Sequence, residues 1–183
     1  MNKNGFIVQK RSLGKYSYMG VDGDNWALKE YSNELKRIYD EEIDRSWYCE
    51  KWVDVCDNLE VIKEALGVAR SLKLEIRVLF CETDREEPVY HGESVKMKFL
   101  GFDYAYAGGS YYSAVLNDIV SERIELLKEY KLNEFGLFNS LDEMKQFIAK
   151  RKMIKRNTSI SLEEGDFVCY KLYEVDTAAI ENQ

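Results

Sequence analysis

One histidine (His91) and one proline (Pro88) are present, and no cysteine pair shows the C-x-x-C spacing of zinc or redox sites. The lone histidine restricts cysteine–histidine catalysis to His91 paired with Cys49, Cys56, Cys81 or Cys169, and it stands in an acidic stretch that would raise a thiol pKa rather than lower it. No apolar run approaches the roughly 20 residues that span a bilayer, and the opening residues Met1 to Phe6 carry no apolar signal region. The expectation is a protein that neither crosses a membrane nor is secreted, working in a reducing cytoplasm with its cysteines as core residues. Neither an internal repeat nor a low-complexity linker breaks the chain, and no cofactor motif is present, so the expected cofactor list is empty.

What remains is material for a core. Apolar residues make up 45% of the 183, with three Trp, thirteen Tyr and eight Phe, more large buried surface than a disordered chain carries. A chain of this length buries one core without staples, so residues 1–183 read as a single globular domain. The net charge of -7 would repel free nucleic acid and would attract and steer a basic protein. The charge is uneven: residues 22–60 hold twelve acidic against five basic side chains, whereas Ser140 to Arg156 is a basic stretch. The ordinary reading of that basic stretch is the solvated face and end of a helix.

Local patterns predict an α+β fold in which an antiparallel or mixed β-sheet packs against several α-helices. Gly5 to Lys10 is β-like, and apolar spacing over Glu30 to Ile43 is helical. Arg45 to Asp54 alternates aromatic and charged residues as a strand does. Asp57 with Glu60 forms a capping-box-like start for a helix burying Leu59, Ile62, Leu66 and Ala69. The strand that follows places Leu74, Ile76, Val78 and Phe80 on one apolar face, and the acidic segment Glu82 to Glu93 reads as an exposed loop. Met97 to Tyr106 is a strand with Leu100, Phe102, Tyr104 and Tyr106 on one face, Met97 and Phe99 on the other, and a bulge at Gly101. Gly108-Gly109-Ser110 turns into a long helix. Ser140 with Glu143 caps another through Leu141, Met144, Phe147 and Ile148, and Asp166 to Glu174 is a last strand.

Several candidate sites follow. Gly108-Gly109-Ser110 before a helix can present backbone N–H groups to an anion, but it lacks a Walker lysine and the third glycine of a dinucleotide fingerprint, and a tight turn with an N-cap explains it more simply. Asp22-Gly23-Asp24-Asn25 spaces oxygen donors as calcium loops do, yet the position that should supply a bidentate acid holds Asn33, so an Asp/Gly turn is favoured. Asp103, among aromatics near a strand end, is the one carboxylate to stand out, with a buried ion pair as the ordinary alternative. Tyr104, Tyr106, Tyr111 and Tyr112 surround the double glycine, and Trp47, Tyr48 and Trp52 accompany the acidic first third. Core packing accounts for most such rings, but acidic charge combined with Tyr and Trp is also what an inhibitor of a basic protein uses.

Trp47-Tyr-Cys-Glu-Lys-Trp52 and Phe99 to Ser113 resemble stretches of small bacterial immunity proteins that neutralise polymorphic or contact-dependent toxins. The resemblance covers about a tenth of the chain and implies a cytoplasmic, non-enzymatic inhibitor, often of a nuclease toxin, that blocks the active site or an adjacent surface; the acidic charge and the absence of long apolar runs make neither nucleic acid nor membrane an expected partner. The expected contact set is Asp22, Asp24, Trp47, Tyr48, Trp52, Asp103, Tyr104, Tyr106 and Tyr111. Two alternatives stand beside it: a small hydrolase or transferase using Asp103 and the Gly108-Gly109 turn, which requires a pocket of convergent polar groups, and a structural subunit of a larger assembly, which requires a strongly apolar interface.

Overall fold

A computed structural model describes residues 1–10, 31–43, 55–86, 89–106, 113–115, 129–157 and 166–181. In chain order the elements are strand β1 (Asn2–Lys10), helix α1 (Asn33–Arg37), which continues as a π-helical segment (Ile38–Ile43), helix α2 (Leu59–Ser71), strands β2 (Ile76–Thr83) and β3 (Met97–Tyr106), helix α3 (Leu141–Asn157), strand β4 (Phe167–Val175) and helix α4 (Thr177–Glu181). The expected α+β architecture is present as a four-stranded sheet of order β1-β2-β4-β3 in which every neighbouring pair is antiparallel. The expected strand over Arg45 to Asp54 lies outside the described residues, as does nearly all of the helix expected after Ser110; Ala114 and Val115 are helical.

The caps expected for α2 and α3 are found, the first shifted by one residue. Asn58, rather than Asp57, caps α2, its side-chain oxygen accepting from the Glu60 N–H at 3.0 Å. Val61, Ile62, Ala65, Leu66, Val68 and Ala69 then form its buried face. Ser140 caps α3, its hydroxyl accepting from the Glu143 N–H at 3.2 Å, and Met144 and Phe147 are buried below it.

The β2 pattern is broader than simple alternation implies. Val78 and Phe80 join Phe6 and Val8 in the cluster that contains the buried face of α2, while Leu79 and Cys81 join Ile7, Leu172, Met144 and Phe147 in a second cluster. Both faces of β2 are therefore core. The segment after β2 is also less exposed than its acidity suggests. Tyr90 is buried, its ring packing edge-on against Phe6 and Phe80 with centroids 4.9 and 5.7 Å away. Its N–H donates to the Lys3 carbonyl at 2.9 Å.

The two edge strands are closed in the same way. Each register shifts at a glycine, Gly5 in β1 (φ 151°) and Gly101 in β3 (φ 149°), and the next residue is a phenylalanine bridged to a segment outside the sheet. Phe6 exchanges backbone hydrogen bonds with Cys56 at 2.8 Å each way, and Phe102 exchanges them with Phe138 at 2.9 and 3.0 Å. These bridges occupy edge groups that would otherwise template pairing with another chain. A Cβ at Gly5 would stand 2.4 Å from the Cys56 carbonyl oxygen, which is why this close approach requires glycine. On β3 the seal extends through Asn133, whose amide donates to the Leu100 carbonyl at 2.7 Å while its oxygen accepts from the N–H groups of Phe135 and Leu137.

Candidate functional site

The sheet register aligns four aromatic residues across all four strands. Phe6 pairs with Phe80, Phe80 with Tyr173, and Tyr173 with Phe99, giving ring centroids 5.1, 6.3 and 5.6 Å apart along the row. Phe6 and Phe80 are buried in the α2 cluster, Tyr173 is half-buried, and Phe99 ends the row 43% exposed. The bulge at Gly101 adds Phe102 to this surface. Because Phe99 opposes Tyr173 and Phe102 opposes Lys171, the two phenylalanines share a face, with centroids 5.5 Å apart. The expectation that Phe99 and Phe102 point to opposite faces is thereby corrected: the extra residue of the bulge resets the alternation.

Charges frame the rings. One Glu82 carboxylate oxygen accepts from the Lys171 ammonium at 3.2 Å and the other from the Tyr173 hydroxyl at 3.1 Å. The Lys171 ammonium also lies over the Tyr173 and Phe99 rings, 5.1 and 5.9 Å from their centroids. Lys171 is shifted up, first by its hydrogen bond with Tyr173 and then by Glu82, and burial shifts the Tyr173 phenol up. Lysine therefore stays charged and tyrosine stays protonated through neutral pH. The result is a rigid aromatic platform whose orienting groups are fixed by the sheet itself.

Asp103 and Tyr104 are fully buried, so in this fold they are core residues. The Asp103 carboxylate accepts from the Tyr104 N–H at 2.7 Å, and the Tyr104 ring packs against Phe167 and Phe147. The backbone of Tyr106 pairs with Phe167 at the end of β3. Asp22, Asp24, Trp47, Tyr48, Trp52 and Tyr111, and with them the Asp22-to-Asn25 turn and the Gly108-Gly109 turn, lie outside the described residues. Phe99 is absent from the expected contact set, although it opens the segment Phe99 to Ser113 and stands two residues before the Gly101 bulge.

Cys56, Cys81 and Cys169 are buried thiols that form no disulfide; Cys49 lies outside the described residues. Burial drives the Cys81 thiol up, and burial followed by the Asp84 carboxylate pushes Cys169 up to about 11. Both are protonated at neutral pH and neither is an activated nucleophile. His91 is exposed and lines a cleft of about 560 Å³ at the start of α2 with Asp57, Glu60, Lys63 and Glu93. A second cleft, of about 420 Å³, lies between α3 and the ends of β2 and β4. Among the described residues no group of three or more His, Cys, Asp or Glu is arranged to hold a metal ion, and no helix is long and apolar enough to cross a membrane.

No protein-family model, no curated protein and no solved structure matches this chain.

Proposed function

We propose that this protein is a binding inhibitor of the immunity type, which neutralises a basic protein toxin by non-covalent occlusion. The observation that carries this reading is Phe99: a large ring, 43% exposed, held edge-on between Tyr173 and Phe102 at the end of a row anchored in the core. Rigid aromatic anchors are the side chains that most often dominate interface energetics, because they bury much area while losing little conformational freedom. The net charge of -7 complements this anchor by raising the encounter rate with a basic partner. The resemblance of Trp47 to Trp52 and of Phe99 to Ser113 to immunity proteins points the same way, and Phe99 opens the second of those segments. The enzyme alternative draws less support, since the carboxylate it relies on, Asp103, is fully buried and already accepts a backbone hydrogen bond.

The test is capture of a partner by the tagged protein from its native bacterial lysate, followed by co-expression of the captured protein in a sensitive host. The expected result is a basic domain that forms a stable complex, arrests growth when expressed alone and is neutralised by this chain. Its association slows as salt rises. Phe99→Ala should weaken the complex by about tenfold or more, as loss of an interface anchor does. A captured protein that is not toxic, or a complex indifferent to Phe99→Ala, would overturn the reading.

A further inference from the structure

The basic stretch of α3 is not merely solvated. Lys145, Ile148 and Lys152 recur at helical spacing and line the same cleft of about 420 Å³. Arg85, just after β2, lines it too, together with Phe167 and Cys169 of β4. Two other cations of α3, Lys150 and Arg151, have different tasks. Lys150 lies 3.7 Å from Glu129 and over the Tyr130 ring, while the buried Arg151 stacks its guanidinium 4.9 Å from the Phe167 centroid. Three exposed cations, two on α3 and one after β2, thus line one cleft of a chain whose net charge is -7.

Two carboxylates share the cleft, Asp84 and Asp166. Asp84 is occupied as a structural acceptor, taking the Cys169 N–H at 3.2 Å. The Cys169 thiol remains neutral and adds no charge to the cleft. Asp166 sits exposed beside Phe167 and leaves the cleft with an excess of one positive charge. The volume falls in the range of small-molecule sites, and the lining combines the half-buried Ile148 and Phe167 with exposed cations. Guanidinium and ammonium groups beside such apolar side chains select a ligand with a compact anionic head and an apolar or aromatic body.

We propose that this cleft is a binding site for a small phosphate monoester of about mononucleotide size, its phosphate held by Arg85, Lys145 and Lys152 and its organic part against Ile148 and Phe167. The cleft shares no lining residue with the Phe99 platform, and the proposal does not depend on the partner proposed above.

Adenosine 5′-monophosphate is the probe, with inorganic phosphate and adenosine as controls, followed by calorimetry and by chemical-shift changes in the full chain. The expected result is saturable binding of the monophosphate about tenfold or more tighter than either control. Arg85→Gln and Lys145→Gln, both at exposed positions, should each weaken it by about tenfold, the loss of one charge-assisted hydrogen bond. Lys150→Gln removes the same charge from the same helix outside the cleft and should change affinity by no more than about twofold. Non-saturable binding up to about 10 mM, affinity no better than that of inorganic phosphate, or an equal loss in Lys150→Gln would each overturn the proposal. Circular dichroism on every variant separates loss of a contact from loss of fold.

Discussion

Phe99 and Phe102 stand three positions apart on β3 yet share one face of the sheet, their ring centroids 5.5 Å apart. The device responsible is Gly101, whose φ of 149° belongs to glycine and whose absent side chain leaves room for Leu137, Asn133 and the Phe138 carbonyl, all within 3.0 Å of where a Cβ would be. Gly101→Ala should therefore destabilise the protein by about 2 kcal/mol or more, through backbone strain and overpacking together. Gly67, on the exposed side of α2, has nothing within 4 Å of its would-be Cβ. Gly67→Ala should instead stabilise by about 0.5 to 1 kcal/mol through helix propensity. Urea denaturation of both variants checks the pair: opposite signs are expected, and a neutral Gly101→Ala would mean that the bulge is not built as described.

Much of the fold was legible because local chemistry agreed with the tertiary outcome. Ser140 and Glu143 mark the start of α3, the spacing of Ile62, Leu66 and Ala69 marks the buried face of α2, and Gly101 marks the bulge. The helix-start signal before Leu59 was legible only to within one residue, because Asp57 and Asn58 are both competent caps and only the backbone decides between them. Strand order was not legible: nothing local in Phe167 to Val175 says that it inserts between β2 and β3. The exposure of Phe99 was hidden for a related reason, since it depends on which half of the sheet face α2 covers and on an alternation reset at Gly101. Asp103 and Tyr104 drew attention through residue type, but their burial is set by packing that a linear pattern does not encode.

Helix α2 ends in a Schellman arrangement with a lysine where glycine is usual. The Leu74 N–H donates to the Ala69 carbonyl at 2.8 Å and the Lys73 N–H to the Arg70 carbonyl at 2.9 Å, which holds Lys73 at φ 56°. A side chain in that region costs about 1 kcal/mol relative to glycine. Lys73→Gly should therefore raise stability by somewhat less than that, about 0.5 kcal/mol, once the greater freedom of glycine in the unfolded chain is counted. Lys73 is exposed, so no packing is lost. A thermal melt that moves down rather than up would show that the lysine makes a compensating contact.

Asn133 ties the segment before α3 to the β3 edge with one amide group, and three backbone partners depend on it: the Leu100 carbonyl and the Phe135 and Leu137 N–H groups. Asn133→Ala leaves all three in search of water at a partly buried site and should cost about 2 kcal/mol. The accompanying signature is local. Amide exchange should accelerate at Phe102 and Phe138, whose mutual bridge lies beside the lost contacts, while Phe6 and Cys56 on the opposite edge keep their protection. Uniform acceleration at both edges would mean that the two seals open together rather than independently.

Cys169 gives the protein an alkaline limit. Its thiol, ordinarily near 9.0, is pushed up to about 11 by burial and by Asp84, so the folded state favours the neutral form more than the unfolded chain does. The folded state then binds the proton more tightly, and the associated stabilisation is fully present below pH 9.0 and lost as pH rises through about 11. Tyrosines and lysines also titrate in this range, so the informative quantity is the difference between wild type and Cys169→Ala at each pH. That difference should be constant from pH 6 to about pH 8 and should then fall steadily through about pH 11, measured as the urea midpoint. Alkylation of Cys169 in the native protein, followed by peptide mass spectrometry, should accelerate over the same interval, since only the thiolate reacts. If Cys169 is already reactive at pH 8, its side chain faces solvent rather than the wall of the cleft it shares with Lys145.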